Sequence, residues 1–147
     1  MVNEPSSNSV IKSALERLVD GNSDALHALL SKSPAAYAPA MFGLLGVLVR
    51  ERFGTVPVRS ELVVYVRTTH SALRAGEGPP LWVIESALRS CSGELSLADQ
   101  VHSESLYEAV GLLTRSLLGD MQLDVESRPR LVSKLTEVVQ FSLSLNQ

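Results

Sequence analysis

Cysteine is almost absent from this chain of 147 residues, because Cys91 is its only one. A disulfide within the chain is therefore impossible, which argues against a small secreted scaffold held together by disulfides. We expect a cytoplasmic protein in a reducing compartment. A chain of this length buries a hydrophobic core without disulfide or metal support, so a single domain is the default expectation.

Catalytic motifs are also lacking. The serines are scattered without a nucleophile-elbow motif, and the turn at 76–80 lacks the Lys and the Ser or Thr of a phosphate-binding loop. The sequence carries no dinucleotide-binding fingerprint, and Cys91 falls on an apolar helix stripe, which is typical of a structural thiol. We expect a non-enzymatic protein with no cofactor.

The longest strongly apolar stretch of the chain is shorter than a membrane-spanning helix. Residues 33–49 are uncharged, but Pro34 and Pro39 leave only 40–49 as a strongly apolar stretch. A spanning helix needs about 20 apolar residues, so we expect a buried helix and no membrane insertion. Met1 to Ser9 has no basic region followed by an apolar stretch, and therefore does not resemble a signal or transit peptide.

Apolar residues at helix spacing fill most of the chain, which is 45% hydrophobic. They predict an all-α fold, a compact bundle of six to seven amphipathic helices in a single domain over 9–143. Residues 1–8 are expected to form a flexible N-terminal tail, and 144–147 a frayed C-terminus. The predicted helices are 9–19, 23–30, 39–54, 60–74, 80–93, 96–119 and 129–143.

Two segments leave alternatives open. Residues 62–66, Leu-Val-Val-Tyr-Val, have the β-branched composition of a strand, but no other segment offers an obvious strand partner, so we favour a helix. Gly43 and Gly46 lie three residues apart in the third helix, which is apolar on nearly every side and therefore expected at the centre. They indicate either the close approach of a neighbouring helix or a ligand pocket.

Histidine is scarce, with three in the chain, and two of them follow an aspartate by three residues. Asp24 with His27, and Asp99 with His102, each place an oxygen and a nitrogen on one helix face, as in di-metal bundles. Both aspartates fall in first turns, where the helix dipole favours an acidic residue in any case. We therefore expect no metal site, although a metal-binding bundle is a third alternative for the function.

Positive charge is concentrated on the fourth predicted helix, where Arg67, His70 and Arg74 share one flank. This flank and the following helix have the outline of a helix-turn-helix, which makes a transcription-associated nucleic-acid binder the second alternative. The following helix is largely apolar from Leu81 to Cys91, and the net charge is −3. We therefore do not expect nucleic-acid binding, and interpret the flank as solvated or facing a protein partner.

Trp82 is the only tryptophan, and it lies beside the main apolar stripe of its helix. It is either a core residue or an anchor for a protein partner. Together with the segregated charge and the absence of catalytic motifs, it favours a protein–protein interaction module, a small adaptor or regulatory subunit that binds a protein partner or itself as a homodimer. The predicted partner-binding residues are Arg67, His70, Arg74 and Trp82.

Overall fold

The computed structural model describes residues 4–54, 58–73, 77–91, 103–121 and 123–144. These residues contain seven α-helices and no strand, which confirms the all-α prediction. Residues 62–66 are helical, as the sequence favoured. The helices are α1 (Glu4–Val19), α2 (Asp24–Ser31), α3 (Pro34–Phe53), α4 (Arg59–Ser71), α5 (Leu81–Cys91), α6 (Ser103–Asp120) and α7 (Ser127–Ser144).

The helices belong to two compact units. The first unit consists of Met1–Leu44 and Met121–Gln147, and the second of Leu45–Asp120, so their boundary falls within α3. The single domain expected over 9–143 stays a prediction. None of the helices in the described ranges combines the length and the apolarity that crossing a bilayer requires.

In the first unit, α1 packs against both α2 and α7. Arg128 at the start of α7 pairs with Asp20 just after α1, with Nη2 2.7 Å from Oδ1, and also donates to the Glu16 carbonyl at 3.2 Å. Because this pair joins the start of one helix to the end of the other, α1 and α7 run antiparallel. The largest fully buried side chains of this unit are Leu15, Leu26, Leu30, Leu44 and Leu135.

Gly43 lies where α3 meets α7 in the first unit. A Cβ atom built on Gly43 would lie 2.6 Å from Cγ1 of Val138, closer than real side-chain contacts allow. The missing side chain therefore makes room for a neighbouring helix, as one of the two interpretations of this glycine predicted.

In the second unit, α5 packs against α4 and α6. The part of α3 in this unit is buried on several sides, at Leu45, Val47, Leu48 and Val49, as its apolar pattern indicates. The other fully buried large side chains of the unit are Ile84, Leu88, Leu113 and Leu117.

Three helices begin at least two residues earlier than predicted. Helix α1 starts at Glu4 within the expected tail, and α3 starts at Pro34 with Pro39 inside it. Proline suits the first position of a helix, because the first turn has no carbonyl partners for its N–H groups, so Pro34 can begin α3 five residues before the predicted start. Helix α7 starts at Ser127, before Pro129.

Serine side chains do not cap the starts of α2 and α4. Ser23 makes no capping hydrogen bond at α2, where the Asp24 N–H donates to Asn22 Oδ1 instead, and Ser60 lies inside α4, which Val58 precedes. At α7, Asp124 Oδ1 accepts the N–H groups of Ser127 at 2.7 Å and Glu126 at 3.0 Å. These bonds, the Ser127 backbone bond foremost, lower the pKa of the Asp124 carboxyl below its ordinary value.

Candidate binding groove and the predicted basic flank

The structure describes three of the four predicted partner-binding residues. Arg67 is exposed and His70 half-buried, and both lie on one side of the buried stripe of α4. Trp82 lies in the first turn of α5, the helix that packs against α4. Arg74 lies outside the described residues. Three of the predicted residues thus stand on two helices that pack together.

Trp82 is 55% exposed, and the adjacent Leu81 is 36% exposed. The rest of the helix is inward-facing at Val83, Ile84, Ala87 and Leu88, all of which are buried. Of the two interpretations of the tryptophan, core residue and surface anchor, the structure therefore excludes the core. Leu81 lies one heptad before the buried Leu88, at the exposed end of the apolar stripe of α5.

A groove that the sequence did not reveal lies along α4. It is open to solvent and has a volume of about 500 Å³, within the range of small-molecule sites. At about 100° per residue, Glu61, Tyr65 and Thr68 fall on one side of the stripe formed by Leu62, Val66 and Thr69, while Arg67 and His70 fall on the other. The lining residues are Arg52, Phe53, Ser60, Glu61, Val64, Tyr65, Thr68 and Asp120. We call this the Tyr65 groove.

Aromatic rings form one wall of the Tyr65 groove. Phe53, the last residue of α3, meets Tyr65 edge to face, with ring centroids 5.4 Å apart and an interplanar angle of 78°. The guanidinium carbon of Arg52 lies 5.0 Å from the Phe53 ring centroid, within cation–π distance. The wall therefore combines apolar surface with a ring face that accepts positive charge.

The Tyr65 hydroxyl links α4 to the end of α6. It lies 2.6 Å from Ser116 Oγ and donates to Asp120 Oδ2 at 3.1 Å. The Tyr65 hydroxyl has one proton and donates it in the hydrogen bond to Asp120. In the shorter contact, between Tyr65 and Ser116, the Ser116 hydroxyl is therefore the donor. The hydrogen bonds from Ser116 to Tyr65 and from Tyr65 to Asp120 hold the side-chain carboxylate of Asp120, the last residue of α6, in place.

The pKa of the Tyr65 hydroxyl is raised above its ordinary value of 10.0. Burial of the ring is the main cause, the Ser116 hydrogen bond opposes it, and the Asp120 charge adds to it. The folded state therefore holds this proton more tightly than the unfolded chain does. Its contribution to folding stability is fully present below the ordinary pKa and is lost as the pH rises through the raised one.

We expect Tyr65 to ionise above the ordinary tyrosine pKa, as a late component of an alkaline titration followed by tyrosinate absorbance. Tyr65→Phe is expected to remove this late component. Circular dichroism at each pH shows whether the fold persists through the titration. A late component that survives in the Tyr65→Phe protein would contradict the assignment.

Sequence reasoning missed this groove because its walls are far apart in the chain. Tyr65 flanks the apolar stripe of α4, but its partners Ser116 and Asp120 lie 51 and 55 residues away. Neither partner belongs to a motif with characteristic spacing. The one available signal was the aromatic residue beside the stripe of α4.

Of the two Asp–His pairs considered as metal ligands, the structure describes only Asp24 with His27. His27 Nδ1 lies 3.1 Å from the Tyr37 hydroxyl, and the two rings stack with centroids 6.0 Å apart. Across the described ranges, no three of His, Cys, Asp and Glu gather in a way that could hold a metal ion. Asp99 and His102 lie outside the described residues. The structure thus explains His27 as the partner of a tyrosine.

Comparison with known proteins adds no relative from which a function could be transferred. No protein-family model, curated protein or solved structure matches this chain. The function is therefore argued from the side chains of the chain itself.

Proposed function

We propose that this protein is a non-enzymatic protein–protein interaction module, an adaptor or regulatory subunit, that binds its partner through α5 and the adjoining side of α4. The observation that carries this proposal is the exposure of Trp82. Tryptophan is strongly buried on average in folded proteins, and it is enriched among the residues that dominate binding energy at interfaces.

The surroundings of Trp82 support an interface. Leu81 extends the apolar surface at the start of α5, and Arg89 pairs with Glu85 at 3.3 Å further along the helix. At helical spacing, Glu85 and Arg89 fall on the same side of α5 as Trp82, where their side chains are 32% and 16% exposed. An aromatic anchor beside charged groups is the usual composition of a protein interface.

Arg67 and His70 add polar and positive character on α4. Their side of the helix is suited to a partner that presents carboxylates, because arginine binds carboxylates with two parallel hydrogen bonds. Residues 93–126 of this chain hold seven carboxylates against one arginine. A second copy of the chain is therefore one partner of suitable charge, and a cytoplasmic location belongs to the same proposal.

The experiment is quantitative affinity capture from native lysate, combined with native mass spectrometry of the purified protein. Trp82→Ala is expected to weaken capture of a partner, or of a second copy, by about tenfold, because an interface tryptophan contributes well over 1 kcal/mol. Arg67→Glu is expected to weaken it as well. Circular dichroism of both variants is the control for loss of the fold.

Phe141→Ala is the matched control, since Phe141 is an exposed aromatic residue of the first unit, at 65%. A partner held by the Trp82 surface is lost in the Trp82→Ala capture and retained in the Phe141→Ala capture. Unchanged capture by both Trp82→Ala and Arg67→Glu would remove this surface from the proposal. Because Trp82 is the only tryptophan, a shift of its fluorescence on binding reports directly on the same surface.

A further inference from the structure

Two hydroxyl protons of the Tyr65 groove are already donated within the protein, so the Arg52 guanidinium is the main hydrogen-bond donor that its lining offers. Thr68 Oγ1 donates to the Val64 carbonyl at 2.9 Å, and the Tyr65 hydroxyl donates to Asp120. The carboxylates of Glu61 and Asp120 are acceptors by nature. A ligand that supplies hydrogen-bond donors is therefore better matched to these groups than one that supplies acceptors.

Charge in the groove is formally −1, because Arg52 is set against Glu61 and Asp120. Asp120 is the last residue of α6 and Phe53 the last of α3, so both helices present their partially negative ends here. The start of α4 has the opposite polarity, and Glu61 in its first turn offsets it. The remaining excess of negative charge suits a ligand with one positive charge.

An apolar body is accommodated as well. Phe53 and Tyr65 supply the aromatic wall, and the neighbouring Val64 is largely exposed. The Arg52 guanidinium over Phe53 shows that the ring face tolerates a cation. The groove therefore offers a ligand cation two positions. One is beside the carboxylates of Glu61 and Asp120, and the other is over the Phe53 ring, where it would replace the Arg52 guanidinium.

We propose that the Tyr65 groove binds a small amphipathic organic cation, in which a primary ammonium group is attached to an aromatic or aliphatic body. The ammonium group donates to Asp120 and Glu61, and the apolar body lies against Phe53, Tyr65 and Val64. Tyr65 and Ser116 act as positioning residues that hold the Asp120 carboxylate. None of the residues of the proposed partner surface lines this site, and the proposal does not depend on that surface.

The test is an NMR titration of the full chain with phenethylamine in the millimolar range, compared with 3-phenylpropionate, which has the same ring but a carboxylate. Phenethylamine is expected to shift the backbone amides of Val64, Tyr65, Thr68 and Asp120, and 3-phenylpropionate to bind more weakly. Equal binding of the two probes, or shifts that avoid these amides, would overturn the proposal.

Substitutions at the charged residues provide the second arm. Asp120→Asn and Glu61→Gln are each expected to weaken phenethylamine binding by about fivefold, the effect of a partly exposed ion pair. Glu137→Gln removes an exposed carboxylate of α7 as a control and is expected to leave the affinity unchanged. Arg52→Gln is expected to maintain or strengthen binding, because it removes the competing cation. Loss of binding in Arg52→Gln, or undiminished binding in Asp120→Asn, would contradict a cation site.

Discussion

Leu88→Ala is expected to lower the free energy of unfolding by about 3 kcal/mol, with a range of about 2–5 kcal/mol for such truncations. Leu88 lies on α5 with no exposed surface, between the helices α4 and α6 that pack against it. Truncation removes the transfer free energy of the deleted methyl groups and leaves a cavity that the surrounding helices fill only in part. Urea unfolding followed by circular dichroism measures the loss.

Leu81→Ala is the matched control for this prediction, because Leu81 has the same side chain, one heptad earlier in the same helix. It is 36% exposed, so its truncation is expected to cost less than about 1 kcal/mol. Equal losses for the two variants would show that the end of α5 is as closely packed as its centre. The comparison tests which part of the apolar stripe of α5, from Leu81 to Leu88, lies in the core.

Gly43→Val is expected to destabilise the protein by about 3 kcal/mol, because the new Cβ would overlap with Val138 on α7. Val138 is β-branched and restricted to few rotamers in a helix, so it cannot easily turn aside. Helix propensity acts in the other direction, since valine is a slightly better helix former than glycine, but by less than about 0.5 kcal/mol. The unfolding free energy from urea titration again provides the measurement.

Two further variants separate overlap from propensity. Gly119→Val places the same side chain on a helical glycine whose Cβ would meet nothing within 4 Å, and a change smaller than about 0.5 kcal/mol is expected. Val138→Ala combined with Gly43→Val is expected to recover part of the loss, because the smaller partner makes room. A loss at Gly119 as large as the loss at Gly43 would contradict the close-approach explanation.

Helix identity was predictable along much of the chain because its signals are local. The apolar stripe of α4 defines a helix within one short segment, and the strand-like composition of 62–66 does not change that periodicity. Helix starts were less predictable, as Pro34 shows. Whether a proline begins or ends a helix depends on the backbone before it, which composition does not specify.

The arrangement of the proposed partner surface was predictable in part. Arg67 and His70 share a flank by helical spacing alone, and Trp82 lies beside its stripe for the same reason. The sequence left open whether the tryptophan was buried. Its exposure depends on which neighbouring helices cover α5, and that is a property of packing.

By itself the sequence determined an all-α chain, the faces of its helices, and the absence of a recognisable catalytic motif. Only the tertiary structure decided that Phe53, Tyr65 and Asp120, from three different helices, line one groove. The physical reason is the separation along the chain of the residues that interact. Helix formation follows from residues three or four apart, whereas a groove and the charge within it arise from side chains that packing brings together across the chain.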